Sequence, residues 1–347
     1  MVKKRHIFIA CLLIAGMITV TAISQSQKPV VGTSFLMDTV IEYKLYGKKA
    51  EEAKIAVDQM LADFESKVSC YINDSEIDRL NQSAGLDPVS ISKDTWDLLL
   101  RCKEYGDQSG GLFDISIAPL TKEWNVTADI PKIPSEQAIE DLLTFVNYQD
   151  LMLDKQKNTA YLRRKGQAVD VGGVAKGFVC DLARKTTQDY EIKSGYISIG
   201  GNLMVIGNKP NGQPFKFGVR NPRGSVNDYI GIITLPNSTM ATSGDYERYF
   251  EMDGVRYHHI LDTKTGWPAK TDLMSVSVVT TDGAYADFMS TYLFIKGKTF
   301  ALEHIDTLNC GLIIIDKDRN VYVSKNLKNS FQSSDSTGTY HFYGVNS

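Results

Sequence analysis

A glycine-rich turn lies near the middle of the chain, in the segment QAVDVGGVAKGFVCD, residues 167–181. A short apolar stretch ends at Asp170, Gly172 and Gly173 form the turn, and Lys176 follows in a predicted helix. Amides at a helix N-terminus bind anions, and glycines let a phosphate approach the backbone. The segment predicts either a phosphate site with Lys176 as its cation or a plain strand-to-helix connection. It is not a Walker motif, because the G-x-x-x-x-G-K-[ST] frame is absent.

A carboxylate and a hydroxyl are paired in the segment ADFMST, residues 286–291. Asp287 and Thr291 are four residues apart on a predicted helix, so they share one face. Both offer hard oxygen ligands, which suit Mg²⁺. The alternative is the polar face of a surface helix. The rest of this helix is apolar, however, and a buried aspartate needs a cation or hydrogen-bond donors nearby.

A third polar segment, MATSGDYERYFEMDGVRYHHILD, covers residues 240–262. Thr242 and Ser243 are predicted to lie in a tight polar turn, and His258 and His259 on a strand-like stretch before Asp262. Neighbouring strand residues point to opposite faces, so at most one imidazole faces a given pocket. A histidine oriented by an aspartate is a candidate general base. A structural His–Asp hydrogen bond explains the pattern equally well.

Two further segments carry single candidate residues. In SCYINDSEIDRLN, residues 69–81, Tyr71 is a candidate for stacking on a planar ring, or a residue of the core or its rim. In SGGLFDISIAPLTKEW, residues 109–124, Asp114 lies in the apolar stretch that follows a helix.

The elements that must position these residues are helices and strands in irregular order. Periodicity predicts a strand around residues 40–45 and a helix over residues 48–68. The chain between residues 158 and 171 has the pattern of a hairpin. Residues 310–325 have the pattern of a strand–turn–strand unit, with Asp316 to Asn320 as the turn. Without regular βαβ alternation, an α+β fold is favoured over a doubly wound parallel sheet.

Composition excludes some classes of partner. The 347-residue chain has a net charge of −3, and its 43% hydrophobic content is ordinary for a globular protein. Outside residues 1–22 it has 35 basic and 41 acidic residues, so it shows no electrostatic signature of a nucleic-acid-binding protein.

The N-terminus has the layout of an export signal. Three basic residues precede an apolar run, residues 7–20, and Ala22 is a suitable cleavage position. We expect a signal peptide or membrane anchor over residues 1–28, one catalytic unit over 29–328 and a loose polar tail over 329–347. Cysteines other than Cys11 are expected to be buried free thiols.

Taken together, these segments resemble the ApbE family, the FAD:protein FMN transferases. The resemblance runs from residue 37 to residue 297. It rests on the segments MDT, SCYINDSEIDRLN, GGLFDISIAPLTKEW, VDVGGVAKGF, SIGGNLMVIG, TSGDYERYF, HHILDTKTGWP and ADFMSTYLFIKG.

The resemblance implies an α+β unit of two lobes, with mixed or antiparallel sheets, packed helices and FAD bound between the lobes. It implies a Mg²⁺-dependent reaction that splits FAD, attaches FMN to a threonine or serine of an acceptor flavoprotein and releases AMP. The carbonyl of Gly173, Asp287 and Thr291 would bind Mg²⁺, and His259 with Asp262 behind it would accept the proton. The remaining cofactor-binding residues implied are Met37, Tyr71, Asp114, Lys176, Thr242 and Ser243, together with His259 itself.

Two other activities fit the same residues. Water in place of the acceptor hydroxyl would make the protein an FAD pyrophosphatase, and loss of chemistry would leave a flavin-binding module. The metal pair and the base argue against the module. The N-terminus places the protein outside the cytoplasm, associated with the outer face of the membrane, although a well-placed lipid-attachment cysteine is absent.

Overall fold

The computed structural model describes residues 28–225 and 227–345. The expected signal or anchor, residues 1–28, therefore lies outside the described residues except for its last position. The described part of the chain has eight helices: α1 (Ala50–Val68), α2 (Glu76–Gln82), α3 (Lys93–Ser109), α4 (Ala118–Trp124), α5 (Glu136–Leu143), α6 (Gly172–Asp189), α7 (Gly283–Lys296) and α8 (Lys298–His304).

Strands outnumber helices, mostly in the second half of the chain. They are β1 (Val30–Leu36), β2 (Thr39–Tyr46), β3 (Val89–Ser90), β4 (Leu151–Asp154), β5 (Thr159–Leu162), β6 (Ser194–Ile199), β7 (Asn202–Ile206), β8 (Phe215–Arg220), β9 (Tyr229–Leu235), β10 (Thr239–Gly244), β11 (Tyr249–Met252), β12 (Val255–His258), β13 (Leu273–Thr280), β14 (Gly311–Asp316), β15 (Asn320–Val323), β16 (Phe331–Ser333) and β17 (His341–Tyr343).

One large sheet organises the molecule. Its nine strands run in the order β1-β2-β6-β7-β10-β13-β14-β15-β17, and only the last pair is parallel. Smaller sheets are β16-β9-β8, β3-β5-β4 and the hairpin β11-β12. The prediction of an α+β fold with mixed and antiparallel sheets is confirmed.

Helix α7 is the central helix of the core. Its N-cap Asp282 accepts a hydrogen bond from the Tyr285 amide at 2.9 Å, and it ends at Gly297 with φ +83°. Most of its residues are buried, and it packs against α6, β10 and β13. Burial of the whole helix explains why its sequence is apolar on nearly every side.

Two predictions about local structure are wrong. Residues 163–171 form no strand, because β5 pairs with β3 and β4 instead of folding back within residues 158–171. The C-terminal tail is not loose over its described part. Strand β16 pairs with β9 and β17 pairs with β15, since alternating apolar residues such as Phe331 can be buried there.

Other expectations agree with the structure. The turn between β14 and β15 lies where residues 316–320 were predicted to turn. In the described residues Cys70, Cys102, Cys180 and Cys310 are free thiols, all but Cys70 fully buried. Within residues 28–225 and 227–345, no helix has both the length and the apolar character needed to cross a membrane.

Candidate active site

The glycine turn leaves the first turn of helix α6 exposed to solvent. Asp170 Oδ1 accepts a hydrogen bond from the Gly172 amide at 2.8 Å, which fixes the entry into the helix. Gly172 and Gly173 are exposed, and the N-cap Val171 provides no side-chain hydrogen bond. A Cβ at Gly173 would lie 3.2 Å from Phe113 Cε2, so a side chain there would crowd the same opening. The first turn therefore presents accessible backbone groups to a ligand, as an anion site requires.

Close packing joins α6 to α7. A Cβ on Gly177 would lie 2.1 Å from the Gly283 carbonyl oxygen, so only glycine fits at this crossing. Asp181 on α6 accepts hydrogen bonds from the Gly283 and Ala284 amides at 2.7 and 3.1 Å. The Gly177 amide donates to Asp287 Oδ2 at 2.8 Å. These three bonds fix Asp287 relative to the start of α6.

The same contact affects the Gly173 carbonyl. In an ideal helix the Gly177 amide pairs with the carbonyl four residues earlier, which is that of Gly173. Here the Asp287 carboxylate also takes this amide, which weakens the pairing. The Gly173 carbonyl oxygen is thereby better able to accept another partner. We call Gly173, Gly177, Asp287 and Thr291 the helix corner.

Asp287 is a buried carboxylate with a mixed electrostatic environment. Only 6% of the residue is exposed, and burial raises the pKa of its carboxyl group. Lys176, the Gly177 amide and the Asn202 side chain act in the opposite direction and lower that pKa. Asn202 Nδ2 has no hydrogen-bond partner among the described residues. A cation bound beside Asp287 would therefore contact a carboxylate that already points toward the start of α6.

A group of hydroxyls continues the helix corner. Ser243 Oγ on β10 lies 3.0 Å from Thr291 Oγ1 and 2.8 Å from Ser290 Oγ. Thr242 lies on the opposite side of the strand, where its Oγ1 is 2.7 Å from Ser277 Oγ on β13. Thr242 and Ser243 therefore belong to a strand rather than the predicted turn, and only Ser243 contacts the helix corner.

His259 lies just beyond β12 and is half-buried. Its Nδ1 is 3.2 Å from the Arg248 carbonyl oxygen, which also accepts the His259 amide at 3.0 Å. Because a carbonyl only accepts, Nδ1 carries the proton and Nε2 keeps its lone pair. Burial, with Lys176 as the next cause, lowers the pKa of His259 to about 3. The ring is therefore neutral, with Nε2 unprotonated.

The two adjacent histidines differ in surroundings. His258 is buried, its Nε2 is 3.2 Å from the Ala269 carbonyl oxygen, and its ring packs edge-on against Phe294. His259 is close enough to Lys176 for the ammonium group to affect its pKa. His259 is thus the imidazole on the side of the helix corner.

Asp262 is not the partner of His259. Its Oδ1 accepts a hydrogen bond from the Lys264 amide at 2.8 Å, and its carbonyl accepts from Gly266 in a tight turn. The pairing predicted between His259 and Asp262 is corrected, because the Arg248 carbonyl orients the imidazole instead. We call residues 248–262 the histidine segment.

Met37 and Tyr71 lie at the rim. Met37 and Asp38 form the two-residue loop between β1 and β2, with φ of +55° and +54°. Asp38 Oδ2 lies 3.1 Å from Arg248 Nη2, so this loop reaches the histidine segment. Tyr71 is 74% exposed, and its hydroxyl lies 3.5 Å from Asp170 Oδ2, beside the glycine turn. Tyr71 is therefore accessible to a ligand, whereas Met37 is partly buried against the core.

Asp114 is internal. Its Oδ1 accepts from the Ser116 amide at 2.8 Å and from the Ser116 hydroxyl at 2.6 Å. Its Oδ2 accepts from the Tyr148 amide at 2.8 Å. With both oxygens taken, the carboxylate stabilises the chain next to Phe113 rather than lining an open surface.

Sequence reasoning missed several residues that shape the site. They are Asp170, which caps the glycine turn; Arg248, whose carbonyl orients His259; Ser290, in the hydroxyl group; and Asn202, beside Asp287. The quoted segments contain all four residues, but their roles come from contacts between elements distant in the chain. Only Asp170, directly before the glycines, had a local signal.

Known proteins resemble this chain over most of its length. A FAD:protein FMN transferase of Klebsiella pneumoniae is 29% identical, covering 88% of this chain and 94% of that protein. One from Treponema pallidum is 30% identical, covering 76% of this chain and 77% of the relative.

Solved structures share the fold. The ApbE protein of Thermotoga maritima superposes with a TM-score of 0.81 at 28% identity, covering 87% of this chain and 99% of that one. The flavin transferase ApbE of Vibrio cholerae gives a TM-score of 0.77 at 24% identity, which shows the fold alone, with 87% and 99% covered. The fold and these relatives define the chain as an α+β transferase. The ApbE family model matches residues 37–314, and the chain belongs to the ApbE family.

Proposed function

We propose that the chain is a Mg²⁺-dependent FAD:protein FMN transferase that attaches FMN through a phosphoester to a threonine or serine of an acceptor protein and releases AMP. One observation carries the proposal. The Gly177 amide joins the open start of α6 to the buried Asp287, and Lys176 of the same helix lies close enough to both Asp287 and the neutral His259 to affect their pKa values. The names of the relatives support the same activity.

The residues of the helix corner fit Mg²⁺. Asp287 is nearly fully buried, and its Oδ2 accepts the hydrogen bond from the Gly177 amide. No cluster of three or more His, Cys, Asp or Glu residues able to hold a metal occurs in residues 28–225 and 227–345. A cation held by Asp287, Thr291 and the Gly173 carbonyl would therefore keep sites for water and phosphate, as Mg²⁺ prefers. When bound, Mg²⁺ would neutralise charge on the pyrophosphate.

Other residues would bind and orient FAD. The α6 amides and Lys176 favour the pyrophosphate through the helix dipole and a direct charge. Met37 and Tyr71 at the rim would flank the isoalloxazine ring, and FAD would lie between the two lobes that the family resemblance implies. Ser243 would contribute through the hydroxyl of Thr291. The side chains of Asp114 and Thr242 would support the FAD site without contacting FAD, since their polar atoms form hydrogen bonds within the protein.

The proposed step is a single phosphoryl transfer. The acceptor hydroxyl oxygen bonds to the phosphorus on the FMN side, and the bond from that phosphorus to the bridging oxygen breaks. AMP leaves with the bridging oxygen and its electron pair. The hydroxyl proton passes to Nε2 of His259, which the Arg248 carbonyl holds in the required tautomer. Such transfers depend mainly on positioning and charge neutralisation.

Mass spectrometry of a candidate acceptor after incubation with FAD and Mg²⁺ tests the proposal. We expect a mass gain of one FMN phosphoester, lost in Asp287→Ala and His259→Ala and retained in Asp262→Asn as the matched control. Rapid AMP release without an acceptor, and with no modified acceptor, would instead identify an FAD pyrophosphatase. FAD binding with neither reaction would identify a flavin-binding module.

We also propose export to the outer face of the membrane. The basic residues and apolar run at the N-terminus support this location. Fractionation of cells that make the full chain should recover it outside the cytoplasm. Recovery from the cytoplasmic fraction alone would reject export.

A further inference from the structure

Three hydroxyl groups link two residues of the helix corner, Thr291 and Asp287. Ser243 Oγ on β10 lies 3.0 Å from Thr291 Oγ1 and 2.8 Å from Ser290 Oγ, and both of these partners are on α7. Ser290 Oγ in turn lies 2.9 Å from the Asp287 carbonyl oxygen. Ser290 is fully buried and Ser243 is 9% exposed, so water has little access to these contacts. We call Thr291, Ser243 and Ser290 the hydroxyl chain.

The direction of the hydrogen bonds in the hydroxyl chain follows from counting protons. Each hydroxyl has one proton to donate, whereas a carbonyl oxygen only accepts. The contact with the Asp287 carbonyl therefore uses the proton of Ser290. The contact between Ser243 and Ser290 must then use the proton of Ser243, which leaves the proton of Thr291 for its contact with Ser243. Only this direction makes all three contacts hydrogen bonds at the same time.

This direction decides how Thr291 presents its hydroxyl oxygen. A hydroxyl oxygen has two lone pairs besides its proton. Because the proton of Thr291 is donated to Ser243, neither lone pair of Thr291 Oγ1 is used in the hydroxyl chain. With the opposite direction, Thr291 would accept the proton of Ser243, and its own proton would be free to face a cation and repel it. The observed contacts therefore leave Thr291 Oγ1 suited to bind a cation.

The hydroxyl chain also reaches the second side-chain ligand proposed for the cation. Ser290 donates to the carbonyl oxygen of Asp287, while the Gly177 amide donates to Asp287 Oδ2 at 2.8 Å. Thr291 is held from β10 and the Asp287 carboxylate from α6, so partners on two other elements orient the two side chains. Groups that form hydrogen bonds with metal ligands orient those ligands, and their loss typically reduces metal affinity by about 10- to 100-fold.

We infer that Ser243 is a positioning residue for the cation of the helix corner, because it accepts the hydroxyl proton of Thr291 and keeps the lone pairs of Thr291 free for the cation. Ser290 supports this role by accepting the proton of Ser243. The inference rests on the Mg²⁺ site of the proposed function and adds two residues that would act through Thr291. It differs from the direct contact with the cofactor that the family resemblance implied for Ser243.

Binding of Mn²⁺, a paramagnetic probe for a Mg²⁺ site, tests the inference without relying on transfer activity. Electron paramagnetic resonance of free Mn²⁺ gives the Kd for Mn²⁺ of the full chain at saturating FAD. We expect Ser243→Ala to raise this Kd about tenfold. Ser290→Ala should raise it about three- to tenfold, because the proton of Ser243 can then turn to Thr291. Ser277→Ala removes a buried hydroxyl of β13 outside the hydroxyl chain and should change the Kd by less than about twofold.

A double-mutant cycle separates positioning from a general structural effect. Thr291→Val removes the ligand itself and should raise the Kd for Mn²⁺ at least as much as Ser243→Ala does. Because Ser243 acts through the hydroxyl of Thr291, Ser243→Ala should change the Kd by less than about twofold in the Thr291→Val background. Two independent structural effects would instead multiply.

The outcomes distinguish this inference from the proposed function. If the acceptor gains FMN but the parent protein binds no Mn²⁺, the metal site and the inference both fall, whereas FMN transfer stands. If the acceptor gains no FMN, the proposed function falls, and the Mn²⁺ affinities still decide the inference. A parental Kd in Ser243→Ala, Ser290→Ala or Thr291→Val, or multiplying effects in the double variant, would show that the positioning inference alone is wrong.

Discussion

The helix corner and the histidine segment hold their functional groups in different ways. Asp287 is fixed by two long helices that cross at Gly177 and Gly283, through hydrogen bonds from backbone amides. His259 depends on one carbonyl, that of Arg248, directly opposite it at the open end of a two-stranded hairpin. The difference indicates that the proposed metal site rests on the rigid core, whereas the proposed base lies on a less constrained segment.

The largest expected effect is in the helix corner. Asp287→Asn removes the charge but keeps an oxygen for the Gly177 amide, so the fold should be retained. We expect the FMN transfer rate to fall by about 10²- to 10³-fold, because charge stabilisation is the main catalytic term. Single-turnover rates and a thermal melt measure the two effects. A loss below about tenfold would mean that the corner is not the metal site.

The histidine segment should show a smaller loss. His259→Asn removes the free Nε2 and should slow transfer by about 10²-fold, as is typical for a general base. Asp262→Asn should stay within about twofold, since its carboxylate caps a turn. Steady-state rates of both variants provide the comparison. If both variants lost activity equally, Asp262 would be the functional partner of His259 after all, contrary to the hydrogen bonds in the structure.

The same histidine should affect stability in acid. Burial lowers the pKa of His259 to about 3, whereas an unfolded histidine titrates near 6.5. Between these values the unfolded chain binds a proton that the folded chain does not, so stability falls as pH decreases through this window. Above about pH 6.5 the contribution is constant. Denaturation of the parent and His259→Asn across this range should give a pH-dependent difference; a constant difference would contradict it.

The helix crossing should be sensitive to one methyl group. Gly177→Ala places a Cβ 2.1 Å from the Gly283 carbonyl oxygen, so the helices must separate. We expect the free energy of unfolding to fall by about 1–3 kcal/mol. Lys185→Ala, on an exposed position of α6, should change it by less than about 0.5 kcal/mol. Urea denaturation of the two variants tests the difference, and equal stability would show that the crossing tolerates a side chain.

The smallest effect is expected where the β1–β2 loop meets the histidine segment. Asp38 has φ +54°, a conformation that favours glycine in a two-residue hairpin loop. Its ion pair with Arg248 is exposed and contributes little. Asp38→Gly should therefore raise the free energy of unfolding by about 0.5–1 kcal/mol. A decrease would show that the link to Arg248 stabilises the protein more than the strain costs.

The sequence predicted features that depend on residues close together in the chain, but not contacts between distant residues. Four-residue spacing on a helix placed Asp287 and Thr291 on one face, and hydrophobic periodicity predicted the helices and the α+β class. The orienting partner of His259 could not be predicted in this way. It is a backbone carbonyl eleven residues earlier, across a hairpin, and any residue type supplies a carbonyl.

The sequence also could not show which polar residues are buried. The family resemblance implied that Asp114 binds the cofactor, but the chain that follows it folds back so that the Tyr148 amide donates to its second oxygen. The C-terminal tail was predicted to be loose because its sequence is polar. Its strands are only three residues long, and each pairs with a longer strand formed by other parts of the chain.

The order of strands in the large sheet has a consequence for synthesis. Strand β1, near the start of the chain, forms one edge of that sheet, and β17, near its end, forms the other. A ribosome releases β17 only when translation is nearly complete, so the sheet cannot be finished on the nascent chain. Completion of the large sheet therefore waits for the C-terminal strands.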